Sequence, residues 1–354
     1  ASHRDSGAVA SILTAEVPDP FGYGRIVRTS EGFVSRIVEE RDANEAEKEI
    51  TEINSGVYIF DIASLRSSLE KITTNNSQKE EYLTDVIKIL TSAGKNVSAY
   101  CLEDFTETLG INDRSQLAEC SALMRERINH ALMLSGVTID DPASTWIDVT
   151  VEIEKDVQIK PGSSLQGWSK VASGAVIGPR TTLIDSQVGA SSEVIESFCV
   201  STSISSGVKV GPFAHLRQGT SLATNARVGS FVEIKNSEVG QGSKVPHLSY
   251  VGDATIGEES NIGAATVFVN YDGVEKHRTI IGDHVRIGSD SMLIAPVSVG
   301  DGAYTAAGSV ITEDVPAGAL GLGRARQVNI LGWVLKKRKG TKSADAAEKK
   351  GRNE

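Results

Sequence analysis

From Ile147 onward, aliphatic residues recur every six positions: Ile147, Ile153, Ile159, Leu165, Val171, Ile177 and Leu183. After a slip the register resumes at Val210, Leu216, Leu222, Val228 and Ile234. A third run follows at Ile281, Ile287, Leu293, Val299 and Ile311, with Thr305 in the place of one aliphatic. A period of six fits neither an amphipathic helix nor the alternation of a single strand. It fits a short strand and a turn repeated around a shared axis, each coil depending on its neighbours for burial: a hexapeptide β-helix. A β-sandwich with coincidental spacing does not account for so many matched positions. Glycine often follows the aliphatic residue, as in Val228-Gly229, Ile262-Gly263 and Ile287-Gly288, and is expected to supply the permissive backbone of a tight corner. Two stretches are expected to interrupt the coils. Val267–Ile280 should project as a polar loop, and Lys244–Tyr250 carries a proline and a histidine within a coil.

The pattern over residues 1–112 differs. It predicts an α/β fold with strands near Ala8–Leu13, Arg25–Val27, Phe33–Glu39, Gly56–Phe60 and Val97–Leu102. Between them a helix over Lys79–Leu90 should bury Val86, Ile87, Ile89 and Leu90. Asn112-Asp113 offers a cap for a helix through Leu117, Leu123, Ile128 and Leu132, read as an arm joining two domains. The predicted boundaries are 1–112, a linker helix at 113–140, the β-helix at 141–321, and a tail at 322–354. After Trp333 the tail is basic, small and polar, and is expected to be disordered and solvated. The first residues lack an initiator methionine and read as a helix, which suggests a chain whose beginning is missing.

Composition narrows the picture. With 354 residues the chain exceeds one ordinary core, and only 5% is aromatic against 34 glycines, which suits a core of small aliphatic side chains. A net charge of −10 argues against nucleic acid as a partner. Cys101, Cys120 and Cys199 show neither a pairing pattern nor metal-ligand spacing, as expected of a reducing compartment. No apolar run is long enough for a membrane span and no signal peptide is evident, so a soluble, cytoplasmic protein is expected.

The motifs go further. GPFAHLRQGT (211–220), VEIKNSEVGQGSKVPHLSYVGDATIG (232–257), NIGAATVFVNYDG (261–273), KHRTIIG (276–282) and GDGAYTAAGSVIT (300–312) stand in order along the repeat. Ahead of it come EVPDPFGYGRIV (16–27), IVEERDA (37–43), EINSGVYIF (52–60) and GINDRSQLA (110–118). Together they resemble the bifunctional N-acetylglucosamine-1-phosphate uridylyltransferase / glucosamine-1-phosphate N-acetyltransferase family, over nearly all the chain except the final tail. The resemblance implies a C-terminal left-handed parallel β-helix, preceded by the remnant of an α/β nucleotidyltransferase domain and a linker helix. It also implies a homotrimer with sites at subunit boundaries, and a product that feeds UDP-N-acetylglucosamine and cell-wall peptidoglycan synthesis. The family's uridylyltransferase begins with a glycine-rich phosphate-binding loop and uses Mg2+. That loop does not stand ahead of Ala1, so the expectation is a chain that acetylates glucosamine 1-phosphate but does not uridylylate.

Residue by residue, the resemblance gives His247 as the base that takes the amine proton, a task suited to a side chain titrating near neutrality. Glu233 is the carboxylate expected to orient its imidazole. Arg217, Lys235 and Lys276 would meet the sugar phosphate, with Tyr250 and Asn261 on the sugar. Asn270 and Tyr271 would position the acetyl group and stabilise the oxyanion from the loop. Ala264, Ser289, Ala307, Arg324, Asn329 and Trp333 match acetyl-CoA contacts, although Trp333 suits a packing anchor as well. Gly24, Glu39, Asn54 and Asn112 match sugar-nucleotide positions, and Asn112 also a metal ligand. Arg217 and Lys235 lie 18 apart, one coil of three hexads, so both can face one ligand. Ala265 stands where the family commonly has glycine, and Gln218 where it commonly has proline. The extra methyl at 265 is expected to crowd the loop base. Three alternatives stay open: a different acetyl acceptor, a zinc hydratase with an intersubunit three-histidine site, and an inactive trimeric scaffold. None of the cysteines lies in a motif, which argues against a covalent acyl-enzyme.

Overall fold

A computed structural model describes residues 2–350. Among them the chain divides into two compact units, Ala1–Met124 and Arg125–Glu354.

The first unit is built on β1 (Ala10–Glu16), β2 (Arg25–Arg28), β3 (Val34–Val38), β4 (Glu52–Phe60) and β5 (Val97–Leu102), in the order β3-β2-β4-β1-β5. β1 runs antiparallel to β4 and parallel to β5, so the sheet is mixed. Its helices are α1 (Ser2–Ser6), α2 (Glu45–Lys48), α3 (Ile62–Leu69) and α4 (Asp85–Ser92). Ile12, Ile26 and Ile37 from the sheet meet Val86, Ile87 and Leu90 from α4 in one apolar cluster. The helix predicted over 79–90 is shorter at its start. Asn76 takes the Glu80 amide at 3.1 Å and Lys79 adopts a left-handed φ of 58°, which closes a turn where helix was expected. Ile89 is half-buried rather than part of the core.

α5 (Arg114–Leu134) begins as its cap predicts, with the Asp113 carboxylate accepting the Gln116 amide at 2.8 Å. Its C-terminal half belongs to the second unit and closes the end of the β-helix. Ile128 and Leu132 pack on the core, and fully buried Asn129 donates to the carbonyls of Pro142 and Thr145 at 3.0 Å. Those bonds satisfy carbonyls that the first coil has no preceding coil to pair with.

The second unit is a parallel β-helix of three faces holding ten, nine and eleven strands among the described residues. Face one includes Glu233–Lys235, Tyr250–Gly252 and Val267–Val269. Face two includes Glu238–Val239 and Ala254–Ile256, and face three Lys244–His247 and Asn261–Ile262. The slip between Leu183 and Val210 is no break. Leu183 pairs with Cys199 and Val188 with Ile204, 16 residues on, so these coils have shortened corners and still point Val188, Val194, Cys199 and Ile204 inward. The stretch at 244–250 is regular too, because Val245 and Val251 both occupy the core. The projecting loop is shorter than predicted. Val267–Val269 and Thr279–Ile281 are ordinary rungs, with Phe268 fully buried, so only 270–278 leaves the solenoid. Each inward aliphatic contributes about 1.5–3 kcal/mol on burial. Buried Ser and Thr at the corners carry the polar load: the Ser243 hydroxyl donates to the Gly257 carbonyl at 2.6 Å and accepts the Ser260 amide at 2.8 Å.

The glycines after the aliphatics mostly answer a different need from the one expected. Gly263 and Gly288 are absent from the positive-φ positions. A Cβ on Gly288 would lie 2.5 Å from the Ala307 amide nitrogen, and one on Gly263 2.5 Å from that of Ser289. The next coil's backbone occupies the space. The left-handed corners are instead held largely by other residues: Phe213, Phe231, Leu248, Ala265 and Asp290, with φ between 53° and 60°. In the tail, α6 (Trp333–Lys337) and α7 (Lys342–Lys350) replace the predicted disorder. Alanine, glutamate and lysine favour a helix there, and the Thr341 hydroxyl accepts the Ala344 amide at 3.3 Å.

These geometries predict opposite signs for two substitutions. Gly288→Ala should destabilise by about 1–3 kcal/mol through overpacking against backbone. Ala265→Gly, at φ 59°, should stabilise by up to about 1 kcal/mol by removing a left-handed Cβ. Urea unfolding midpoints at unchanged slope would check both.

Candidate active site

Coil stacking turns sequence spacing into columns. On face one His215, Glu233 and Tyr250 stand in register on successive coils, with Arg217 beside Glu233 and Lys235 beside Gly252. Arg217 Nη1 donates to Glu233 Oε1 at 2.8 Å, an ion pair with both partners partly exposed. At the corner where face one turns into face two, Asn236, Asp253 and Asn270 form a second column. Asp253 is 8% exposed and accepts from the side-chain amides of both Asn236 and Asn270, and Lys235 Nζ lies 3.6 Å from its Oδ2. Burial works to raise the Asp253 pKa, but those two amides and the charges of Lys235 and Lys276 outweigh it and hold the carboxyl below its usual range. Lys276 reaches the cluster from the loop. The neighbouring Lys235 ammonium pulls it below the ordinary lysine range; Arg217 adds to that and Asp253 opposes it.

The loop is itself closed. Tyr271 and Lys276 form an antiparallel bridge, and Asp272 Oδ1 accepts the amides of Val274 and Glu275 at 2.8 and 2.7 Å. Asp272 Oδ2 meets His277 Nε2 at 2.7 Å, and the His277 amide donates to the Asn270 carbonyl at 2.8 Å. Hydrogen bonds from the Glu275 amide, His277 and the Val274 amide push Asp272 far below the usual carboxylate range.

The opposite edge of face one, where face three turns into it, carries the third column. Ala265 donates its amide to the His247 carbonyl, Asp290 to Ala264, and Gly308 to Ser289, so His247, Ala264, Ser289 and Ala307 climb one edge. Arg324 Cδ comes within 3.8 Å of where a Cβ on Gly308 would sit, at the top of this edge. Asn329 and Trp333 are exposed, and the Arg338 guanidinium lies over the Trp333 ring, 4.7 Å from its centroid.

The structure thus brings Arg217, Glu233, Lys235, Tyr250, Asn270 and Lys276 together within one chain, and puts His247 elsewhere. The strand Tyr250–Gly252, about 10 Å long at 3.3 Å per residue, separates His247 from the Asn236–Asp253–Asn270 column. The expected Glu233–His247 contact is not among the bonds of the described residues. Glu233 points outward from face one and is engaged by Arg217, whereas His247 ends a strand of face three. Asn261 also lies on face three, between Lys244 and Arg286, away from the lysine cluster. Asn236 and Asp253 were missed by the sequence reading. Their signal was the Asn-Asp-Asn recurrence at intervals of 17, visible only when five-residue sides are allowed.

In the first unit Gly24, Glu39 and Asn54 converge. A Cβ on Gly24 would sit 3.1 Å from Ile37 Cγ2, 3.3 Å from Glu39 Oε2 and 3.6 Å from Asn54 Cβ, so the three positions lie close together and a larger residue at 24 would press on its neighbours. Burial, with Glu39 adding and a bond to Asn54 opposing, pushes the Tyr58 hydroxyl up to about 12. Asn112 is exposed ahead of α5, its amide bonded to Gln116.

Residues 1–151 match the nucleotidyl transferase family and residues 278–313 the bacterial transferase hexapeptide (six repeats) family. The chain is 54% identical over 349 residues to the bifunctional protein GlmU of Streptomyces avermitilis, covering 98% of this chain and 72% of that protein. It is 53% identical over 348 residues to that of Kineococcus radiotolerans, covering 98% of this chain and 71% of that protein. For that of Mycobacterium tuberculosis (strain ATCC 25177 / H37Ra) the identity is 52% over 349 residues, covering 99% and 70%. The chain belongs to the GlmU family. The resemblance read from the motifs is borne out, and the chain is an enzyme with the family's N-acetyltransferase domain. Among solved structures, a Francisella novicida UDP-N-acetylglucosamine acyltransferase aligns at 13% identity and TM-score 0.32, over 60% of this chain and 78% of that one. No helix among the described residues is long and apolar enough to cross a membrane.

The loop geometry predicts that Asp272→Ala raises hydrogen exchange at the Val274 and Glu275 amides while leaving the coils unchanged. Because Asp272 is depressed, its contribution is complete at neutral pH and is lost only as the pH falls through that low value. The same amides should therefore stay protected down to strongly acidic pH.

Proposed function

We propose that the β-helix unit transfers the acetyl group of acetyl-CoA to the amine of glucosamine 1-phosphate. The observation that carries this reading is the convergence of Arg217, Lys235 and Lys276 at one edge of face one, beside Tyr250 and Asn270. Three cations from two coils and a loop suit a phosphate group. Tyr250 and Asn270 add polar groups that suit a sugar.

In this reading the amine nitrogen attacks the thioester carbonyl carbon, the C–S bond breaks, and the amine proton passes to His247 while the CoA sulfur leaves as thiolate and takes up a proton. The loop backbone at Asn270 and Tyr271 stabilises the oxyanion. The edge bearing Ala264, Ser289 and Ala307 offers small side chains against which an extended thioester arm can lie, with Arg324 at its end. Because one chain holds the cation cluster and the His247 edge on opposite sides of face one, the complete site needs a second copy, each protomer lending one edge. A homotrimer meets that need.

Thiol release from acetyl-CoA should depend on glucosamine 1-phosphate and fall about 10²–10⁴-fold in His247→Ala. Turnover that is indifferent to either would overturn the proposal. The lowered Lys276 loses its charge before an ordinary lysine, titrating near 10.4, would. The acceptor KM should accordingly rise with pH below that value, and Lys276→Arg should shift the rise upward.

A further inference from the structure

A buried carboxylate is unexpected in a pocket built for an anion. The Asp253 side chain is nevertheless more deeply buried than that of Lys235, 11% exposed against 21%. Its own backbone is tied down: its amide donates to the Lys235 carbonyl, and its carbonyl accepts from Thr279 where the chain rejoins the coil after the loop. The residue occupies a left-handed corner at φ 51°, directly above Asn236 at φ 46°. Both neighbouring side-chain amides donate to it, one to each oxygen.

That arrangement requires an acceptor-only group. An asparagine at 253 offers one acceptor and one donor, so one of the two neighbouring NH2 groups would face another NH2. The carboxylate therefore decides which end of the Asn270 amide turns inward. Asn270 is 7% exposed and opens the loop that carries Tyr271 and Lys276, so its orientation sets where the loop starts. The same charge attracts both Lys235 and Lys276, whose ammonium groups approach and repel each other.

We infer that Asp253 is a positioning residue of the transferase site: it orients the Asn270 side chain, anchors the 270–278 loop, and holds Lys235 and Lys276 at a common anion site. This rests on the acetyl-transfer reading for its kinetic consequences, but its structural consequence can be measured without turnover.

The test is a double-mutant cycle on the full chain with Asp253→Asn, Asn270→Ala and the double variant, joined to hydrogen-exchange mass spectrometry. Asp253→Asn removes no volume and should lower kcat by about tenfold or more through misplacement of the acetyl-side groups. Lys235 and Lys276 also lose the charge that holds them together and sustains their protonation, so the acceptor KM should rise as well. A general loss of folded protein would lower the apparent kcat and leave KM unchanged. In the Asn270→Ala background, Asp253→Asn should cost less than about twofold more, because the two act as one unit. Peptides covering 270–278 should exchange faster in Asp253→Asn, with peptides from 145–230 unchanged. Additive losses, or wild-type kcat with unchanged loop exchange, would overturn the inference. If the wild-type chain fails to acetylate glucosamine 1-phosphate, the acetyl-transfer reading falls and loop exchange alone decides: faster exchange upholds the role of Asp253 and unchanged exchange removes it.

Discussion

The parallel hydrogen bonding of each coil to the next governs everything else in the second unit. A strand of two or three residues has no stability alone; it exists because its amides and carbonyls are paired above and below. That pairing fixes the distance between coils, and so forbids a Cβ wherever two backbones approach most closely. Gly263 and Gly288 stand under the amides of Ser289 and Ala307, with no room for a methyl. It also fixes register, so that an outward residue has a neighbour on the coil above as firmly as in the chain. A functional site on such a body is a set of columns.

Two columns at opposite edges of one face divide the chemistry. The edge of His247, Ala264, Ser289 and Ala307 is lined with small groups beside one imidazole. The edge of Asn236, Asp253 and Asn270 is a ladder of hydrogen bonds surrounded by cations. Rigid coils cannot bend to bring these edges together, because packed cores resist continuous deformation. Among the described coils only the 270–278 loop departs from the register, and it is closed by Asp272 and His277 rather than left open. On the acetyl-transfer proposal, a second copy laid against the face would join the His247 edge to the cation-bearing one.

Much of this was legible in the sequence. The six-residue recurrence alone required a β-helix, and the inward positions it named, from Ile159 through Leu183 and Leu216 through Ile234, are buried. What it misjudged were the irregular coils. Sides of five residues look like lost register in a linear count, although Val188, Cys199 and Ile204 point inward as firmly as their neighbours. The same blindness hid Asp253 and Asn236, whose relation appears only once the coil length is 17. The cation set was readable because charge is a property of the residue. The pairing of Glu233 with Arg217 was not, because which of two candidates a carboxylate faces depends on the face each occupies.

The electrostatics follow from that geometry. The chain as a whole carries −10, yet at this edge Arg217, Lys235 and Lys276 gather against Glu233 and Asp253. Clustered ammonium groups suppress each other's protonation, as Lys276 shows. A cluster of cations alone would keep its charge over a narrower range of pH and so hold an anion less well. The Asp253 carboxylate beside them sustains their protonation, and on the proposed reading would leave them free to meet an anion. Burial of that carboxylate is tolerable because two amides and two ammonium groups compensate for lost water. On that reading the acidic residue and the anion would address the same cations, and the ladder that satisfies Asp253 also ties down Asn270, where the loop bearing Lys276 begins.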